Sequence, residues 1–350
     1  MTAAVGFLRS FGSVLRNSVR IEANHLRSEL ARAELLSLFK SHVELIEVET
    51  TSYCNRVCSF CPNSFLDRRS EKHSMPEAAW DAILSGLREL DYSGGFVWSR
   101  YSEPLSERRI VERIREVRSA SPRCRICINS NGDYLDSSYL EELEAAGLNR
   151  LWIDLYSPED EQYDQELARR LVRKFLERIG REGRVIATTP ELALRIESSQ
   201  ADIECQVRNR FSLDVQGMSN RAGLIQVGRS KRRLSPCYTP FKHLVIDWDG
   251  SVVACCQLRS DVGDQRAVVA GRIGQDGVDL LNAYLLFSKW RESLRYYGEK
   301  RGPCAECNVF VYHDNPVNRA ITRHLGSPED AMAAPFRAAL RPLFRRKLRF

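Results

Sequence analysis

Cys54, Cys58 and Cys61 stand in the run Thr51-Ser52-Tyr53-Cys54-Asn55-Arg56-Val57-Cys58-Ser59-Phe60-Cys61, a C-x3-C-x2-C spacing. Three thiolates on one loop can hold three irons of a [4Fe-4S] cube and leave the fourth open to another ligand. A zinc site wants a fourth Cys or His, and the next histidine, His73, is well downstream. An iron-sulfur cluster is therefore favoured over zinc and over incidental core cysteines. A second group, Cys237, Cys255, Cys304 and Cys307, supplies four thiolates for a closed cluster or a structural zinc. Cys255 and Cys256 are adjacent and spacing does not separate them; Cys255 is taken as the ligand and Cys256 as a buried neighbour. Cys124, Cys127 and Cys205 read as core thiols.

The chain has 350 residues and 11 cysteines, an odd number that no fully paired disulfide framework can use. No run of about 18 apolar residues exists, and Arg9 halts the first apolar stretch, too short for a secretory signal. A reducing, cytoplasmic setting follows, where thiolates bind metals. The net charge of +6 is mild. Basic residues concentrate at the end, where Arg337, Arg341, Arg345, Arg346, Lys347 and Arg349 stand among Phe and Leu without an acid. That tail reads as basic and amphipathic, suited to peripheral contact with an anionic membrane or a partner. No basic patch interleaved with aromatics in the catalytic region points to nucleic acid.

The elements that must carry these groups follow from hydrophobic period. Strands are expected at Val43–Thr50, Gly95–Tyr101, Arg125–Asn129 and Arg150–Leu155. Helices are expected at Pro76–Leu90, Ser106–Ser119, Ser137–Ala146 and Asp160–Gly180. Such βα repeats predict an α/β fold, a partial (β/α)6 TIM-like barrel with its chemistry at the C-terminal strand ends. Residues 185–216 stay open, since Leu192–Ile196 fits a strand or a helical turn. Asp249-Gly250 between Leu244–Trp248 and Val252–Cys255 predicts a hairpin opening a small C-terminal module of hairpin and helix. The expected divisions are a helical extension at 1–42, the barrel at 43–234, the module at 235–315 and a basic helical tail at 316–350.

The three-cysteine loop after the first strand resembles the radical S-adenosylmethionine (SAM) superfamily. The resemblance implies that the open iron chelates methionine and that a reduced cluster generates a 5′-deoxyadenosyl radical, which abstracts a substrate hydrogen. Phe60 matches the position near the adenine. Tyr101-Ser102-Glu103-Pro104 stands where the superfamily shows Gly-Gly-Glu or Gly-Glu-Pro, so Glu103 would receive the methionine ammonium, with Ser102 departing from glycine. Asn129-Ser130-Asn131-Gly132 and Ile153-Asp154-Leu155 resemble its third and fourth strand-end segments, implying ribose or substrate contacts for Ser130, Asn131 and Asp154.

The C-terminal cysteines resemble the auxiliary-cluster module called a twitch domain, related to SPASM, as in dehydrogenases of the 2-deoxy-scyllo-inosamine type. That implies a second, auxiliary [4Fe-4S] cluster that accepts an electron, so that a sugar or aminocyclitol alcohol is oxidised. Arg259 or Asp261 would hold or deprotonate substrate, and Arg221 would meet a carboxylate or phosphate. A flavodoxin or ferredoxin would supply electrons. The alternatives are a maturase of ribosomal peptides, or a non-catalytic iron-sulfur or zinc scaffold, which leaves Glu103 and the open three-cysteine loop unexplained.

Overall fold

The computed structural model describes residues 2–158, 161–208, 218–226 and 232–344. The chain opens with α1 (Thr2–Val19) and α2 (Arg32–His42). Four βα repeats follow: β1 (Leu45–Val48) and α3 (Glu77–Leu90), β2 (Gly95–Trp98) and α4 (Ile110–Ala120), β3 (Arg125–Ser130) and α5 (Ser137–Ala145), β4 (Arg150–Tyr156) and α6 (Gln165–Ile179). Then come β5 (Gly183–Ala187), β6 (Ala193–Ile196) and β7 (Asp202–Arg208). The C-terminal part holds α7 (Thr239–Lys242), β8 (His243–Ile246), β9 (Ser251–Val253), β10 (Gly271–Arg272), α8 (Asn282–Leu285), α9 (Ser288–Leu294), α10 (Pro316–His324) and α11 (Ala334–Leu340).

All ten strands join one sheet in the order β10-β9-β8-β1-β2-β3-β4-β7-β6-β5. The stretch β8-β1-β2-β3-β4-β7 is parallel throughout. Parallel pairing needs a crossover, and each amphipathic helix supplies one by burying a single stripe. On α3 that stripe is Ala79, Trp80, Ile83, Leu84, Leu87 and Leu90, ended by Asp91 in the left-handed region (φ 44°). Asp136 and Asp164 cap α5 and α6 by accepting from Tyr139 N and Leu167 N. The residues left open at Leu192–Ile196 fall largely in β6, antiparallel to both β5 and β7, with Leu194 and Ile196 turned to the core. Residues 209–216 of that region lie outside the described residues, as does Asp160 at the start of the expected fourth helix.

The sixth parallel strand comes from the C-terminal part: β8 lies beside β1 in register Leu45↔His243 to Val48↔Ile246. The hairpin β8–β9 turns at Asp249-Gly250, where Gly250 sits at φ 83° and a Cβ would stand 3.2 Å from Ile273 O. The cysteine-bearing hairpin is thus hydrogen-bonded to the strand that launches the three-cysteine loop, so the two thiol groups share one rigid platform.

Two arginines of the basic tail fall among the described residues, and both are bound to the protein. Arg337 is buried and donates to the carbonyls of His324, Ser327, Pro328 and Asp330. Arg341 donates to the carbonyls of Val19 and Ile21, tying the tail to α1. These guanidiniums are taken up by backbone acceptors, while Phe336 and Leu343 are exposed; Arg345, Arg346, Lys347 and Arg349 lie outside the described residues. No helix of the described residues is long and apolar enough to cross a membrane.

Candidate functional site

A cavity of about 270 Å³ opens at the C-terminal ends of β1 to β4. Cys54, Cys58, Cys61, Phe60, Glu103, Ser130, Asn131, Asp154 and Arg221 all line it, so the structure gathers these sequence-predicted residues at one place. The three-cysteine loop is clamped to the loop after β3. Arg56 grips Asp133 through two bonds of 2.6 Å, Asn55 Nδ2 donates to Asp133 Oδ2 at 2.7 Å, and Asn131 Nδ2 donates to Asn55 Oδ1 at 2.9 Å. Asn131-Gly132 makes that turn, with Gly132 at φ 75° and a Cβ there meeting Ile153 at 3.0 Å.

Glu103 is 2% exposed. Its Oε1 accepts from Ser130 Oγ (2.7 Å) and Leu105 N (3.0 Å), and its Oε2 accepts from Asn131 N (2.8 Å). Burial nevertheless pushes its pKa up to about 7. A cation bound beside it favours the ionised form, so binding releases a proton and weakens as pH falls through about 7. Affinity for SAM, measured by equilibrium dialysis on iron-loaded protein between pH 6 and 8, should drop by up to about tenfold per pH unit on the acid side; a flat profile would assign the ammonium elsewhere.

The departure at Ser102 is absorbed without glycine. Glu49, buried at the end of β1, accepts from both Tyr101 N (2.7 Å) and Ser102 N (2.8 Å) through Oε1. The positive φ of this turn falls on Arg100 (88°), a strained position for a side chain. Arg100 is fixed by an ion pair to Asp247 and a bond to Leu258 O. Glu47, two residues before Glu49, is buried at the cavity wall and accepts from Ser99 Oγ; burial raises its pKa, against the pull of Arg100 and Ser99. Neither acid was singled out from sequence. The available signal was two glutamates alternating with Ile46 and Val48 in a strand that parallel neighbours bury on both sides.

Arg221 reaches the cavity from the segment Asn220-Arg221-Ala222-Gly223, which Asn220 pins to the C-x2-C loop through Glu306 O and Asn308. Its guanidinium lies 5.5 Å from the Tyr101 ring centroid. Among the described residues no carboxylate pairs with it. Asp154, by contrast, is held by Arg208 at 2.7 Å while still lining the wall. Phe60 packs on Tyr156 with ring centroids 5.3 Å apart.

Arg259 and Asp261 are not brought to this cavity. Arg259 is fully buried, with Nε and Nη2 on the two Asp261 oxygens (2.8 Å each), Nη1 on Asn63 Oδ1 (2.9 Å) and its charge over Tyr101. Arg68 adds a second cation to Asp261 at 2.9 Å. Burial pushes Asp261 up, but the two guanidiniums overcome it and hold the carboxyl well below its usual range. So acidic a group makes a poor base at neutral pH. This pair braces the loop after Cys61 against the hairpin.

The two adjacent cysteines diverge. Burial, and after it the neighbouring thiols of Cys256, Cys304, Cys237 and Cys307, raise the pKa of Cys255 well above the usual range. Cys256 instead lines the cavity and feels Glu47, Arg100 and Arg221. Arg233, 2% exposed, braces the four-thiol site: it donates to the carbonyls of Ser235, Pro236, Val309 and Phe310, and Nη1 lies 3.8 Å from Cys307 Sγ. Among the described residues no three His, Cys, Asp or Glu side chains are drawn in to the spacing of a single metal ion. His73 stacks on Trp248 and bonds Glu71, so it does not complete the three-cysteine set.

Residues 48–193 match the radical SAM superfamily, and residues 237–308 match the iron-sulfur cluster-binding SPASM domain. The chain carries a radical SAM domain and a SPASM domain. A radical SAM enzyme of this kind uses SAM, a [4Fe-4S] cluster that binds it, and a SPASM iron-sulfur cluster. The chain is 24% identical over 266 residues to the SAM-dependent 2-deoxy-scyllo-inosamine dehydrogenase of Niallia circulans, covering 75% of this chain and 92% of that protein. It is 27% identical over 165 residues to a GTP 3′,8-cyclase of Peptoclostridium acidaminophilum, covering 45% and 48%. The solved structure of BtrN in complex with AdoMet and 2-DOIA shares the radical SAM fold, with a TM-score of 0.53 at 21% identity over 82% of this chain and 96% of that one.

Proposed function

We propose that this radical SAM enzyme oxidises a carbinol of a sugar or aminocyclitol to a ketone, with the SPASM cluster as electron acceptor. The observation that carries the reading is the divergence of Cys255 and Cys256. One faces the four-thiol site and the next faces the cavity, so a substrate in the cavity lies one peptide from the electron acceptor. The dehydrogenase of Niallia circulans, matched over nearly its full length, supports the same reaction class.

In this reading Cys54, Cys58 and Cys61 hold the SAM-binding cluster, and Cys237, Cys255, Cys304 and Cys307 hold the auxiliary one. The SAM-binding cluster and SAM together supply hydrogen-atom abstraction when bound. Glu103 receives the methionine ammonium, Phe60 and Tyr156 pack against the adenine, and Ser130 and Asn131 keep the Glu103 carboxylate in place. Arg221, free of a carboxylate partner among the described residues, takes an oxyanion of cofactor or substrate. Glu47 is the base the cavity offers for the substrate hydroxyl, in place of Asp261. A one-electron donor such as flavodoxin or ferredoxin reduces the enzyme.

Incubation of reconstituted protein with SAM, dithionite and 2-deoxy-scyllo-inosamine or related aminocyclitols should yield one ketone per 5′-deoxyadenosine; 5′-deoxyadenosine without any ketone would overturn the substrate class. Anaerobic reconstitution should load about eight irons per chain, falling to about four when the first three cysteines become alanine. Zinc in their place would overturn the cluster assignment.

A further inference from the structure

Arg233 and Lys300 are both buried, 2% and 6% exposed. Neither forms an ion pair with a carboxylate among the described residues. Glu299 and Glu306, the acids beside Lys300 and Cys307 in the chain, are exposed, and Glu299 pairs with Arg232 at 3.2 Å. Arg233 directs its N–H groups to the carbonyls of Ser235, Pro236, Val309 and Phe310, and Lys300 donates to those of Ser293 (3.2 Å) and Tyr296 (2.5 Å). Carbonyls carry no net charge, so both cations stay uncompensated, and each feels the repulsion of the other. Two like charges out of water are strongly unfavourable unless an anion lies with them. The four-thiol site is where that anion belongs. Arg233 Nη1 lies 3.8 Å from Cys307 Sγ and its charge also reaches Cys304, while Lys300 feels Cys237 and Cys304. The Trp290 side chain adds a hydrogen bond to Cys304. Neither cation lines the substrate cavity.

We propose that Arg233 and Lys300 are the fixed counter-charges of the auxiliary cluster and set its potential by favouring its reduced form. A cluster held by four thiolates is anionic and gains one more negative charge on reduction. Cations fixed beside it in a low dielectric stabilise that extra charge most, which raises the potential. Oxidation of a carbinol radical releases one proton, to the base in the cavity, and one electron, whose charge these two residues offset. The charge assignment stands on the buried cations alone; its use in substrate oxidation rests on the reading above.

The test is a redox titration of the full, iron-loaded chain followed by electron paramagnetic resonance, reading the cluster signal that added SAM leaves unperturbed. R233Q and K300Q remove the charge and keep a hydrogen-bonding amide. Each should disfavour reduction about tenfold, a fall of about 59 mV for one electron. R233K should retain most of the wild-type potential, and W290F, which loses a neutral N–H, should fall by less than R233Q. Potentials unmoved in R233Q and K300Q with iron content intact would overturn the proposal. Arg233 also ties its neighbouring loops together, so if R233Q loses the auxiliary irons, K300Q decides: its ammonium holds only two carbonyls, and a fully loaded K300Q chain at the wild-type potential overturns the proposal. Lowered potentials in the variants, with no ketone from any aminocyclitol in the wild type, would support the charge assignment and overturn the substrate reading. Ketone in the wild type with unmoved potentials would do the reverse.

Discussion

Replacing Arg259 by alanine should lower the melting temperature of the chain by roughly 4 °C, the size expected for a 350-residue chain when one partner of a buried ion pair worth about 3 kcal/mol is removed. The guanidinium is fully buried and makes three hydrogen bonds, two to Asp261 and one to Asn63. Asn63 in turn donates to Tyr101 O, so the arginine joins the loop after Cys61 to the turn after β2. Its loss leaves Asp261 with Arg68 alone and opens a void under Tyr101. Asp261 keeps one cation, which is why the lower end of the range for broken buried pairs applies. Arg259→Lys keeps the charge but loses the two-pronged grip and should fall between wild type and alanine. Thermal unfolding of the reconstituted proteins decides the matter. An alanine variant that melts like wild type but turns over slowly would mean that Arg259 acts on substrate.

Glu103→Ala should weaken SAM binding by about 10–100-fold, the loss expected for a charge-assisted contact of roughly 1.5–3 kcal/mol. Iron content should be unchanged, because no cluster cysteine is altered. The carboxylate is held by Ser130 Oγ, Asn131 N and Leu105 N. Alanine therefore also leaves two buried backbone N–H groups unsatisfied and loosens the turn after β3. Glu103→Gln separates the two effects. It keeps an acceptor for the turn, loses the charge, and should abolish the pH dependence of SAM affinity near pH 7. A glutamine variant with unaltered affinity and an unaltered pH profile would remove Glu103 from the ammonium site.

The elements were legible because their causes are local. Strand and helix periods and the Asp249-Gly250 turn are written within a few residues of where they act. Leu192–Ile196 was not legible, because a short apolar run becomes a strand only when β7 and β5 pair with it. The cofactor residues were readable as motifs, but their bracing was not. Arg56 with Asp133, Glu49 with the backbone of Tyr101 and Ser102, and Arg233 around Cys307 are pairs distant in sequence and adjacent only after folding.

Arg259 and Asp261 show the opposite limit. Their position just after a cluster cysteine suggested chemistry, and packing made them a brace, since a buried carboxylate between two guanidiniums stays ionised and holds loops together.

By itself, the amino-acid order carried the resemblance to the radical SAM superfamily, in three closely spaced cysteines on one loop and the strand-end motifs that follow it. It also determined that a second group of thiols exists. Which of two neighbouring cysteines lies beside that group and which lines the cavity is visible only in the tertiary structure. In the turn after β9, Cys255 neighbours the thiols of Cys304, Cys237 and Cys307, while Cys256 lines the cavity.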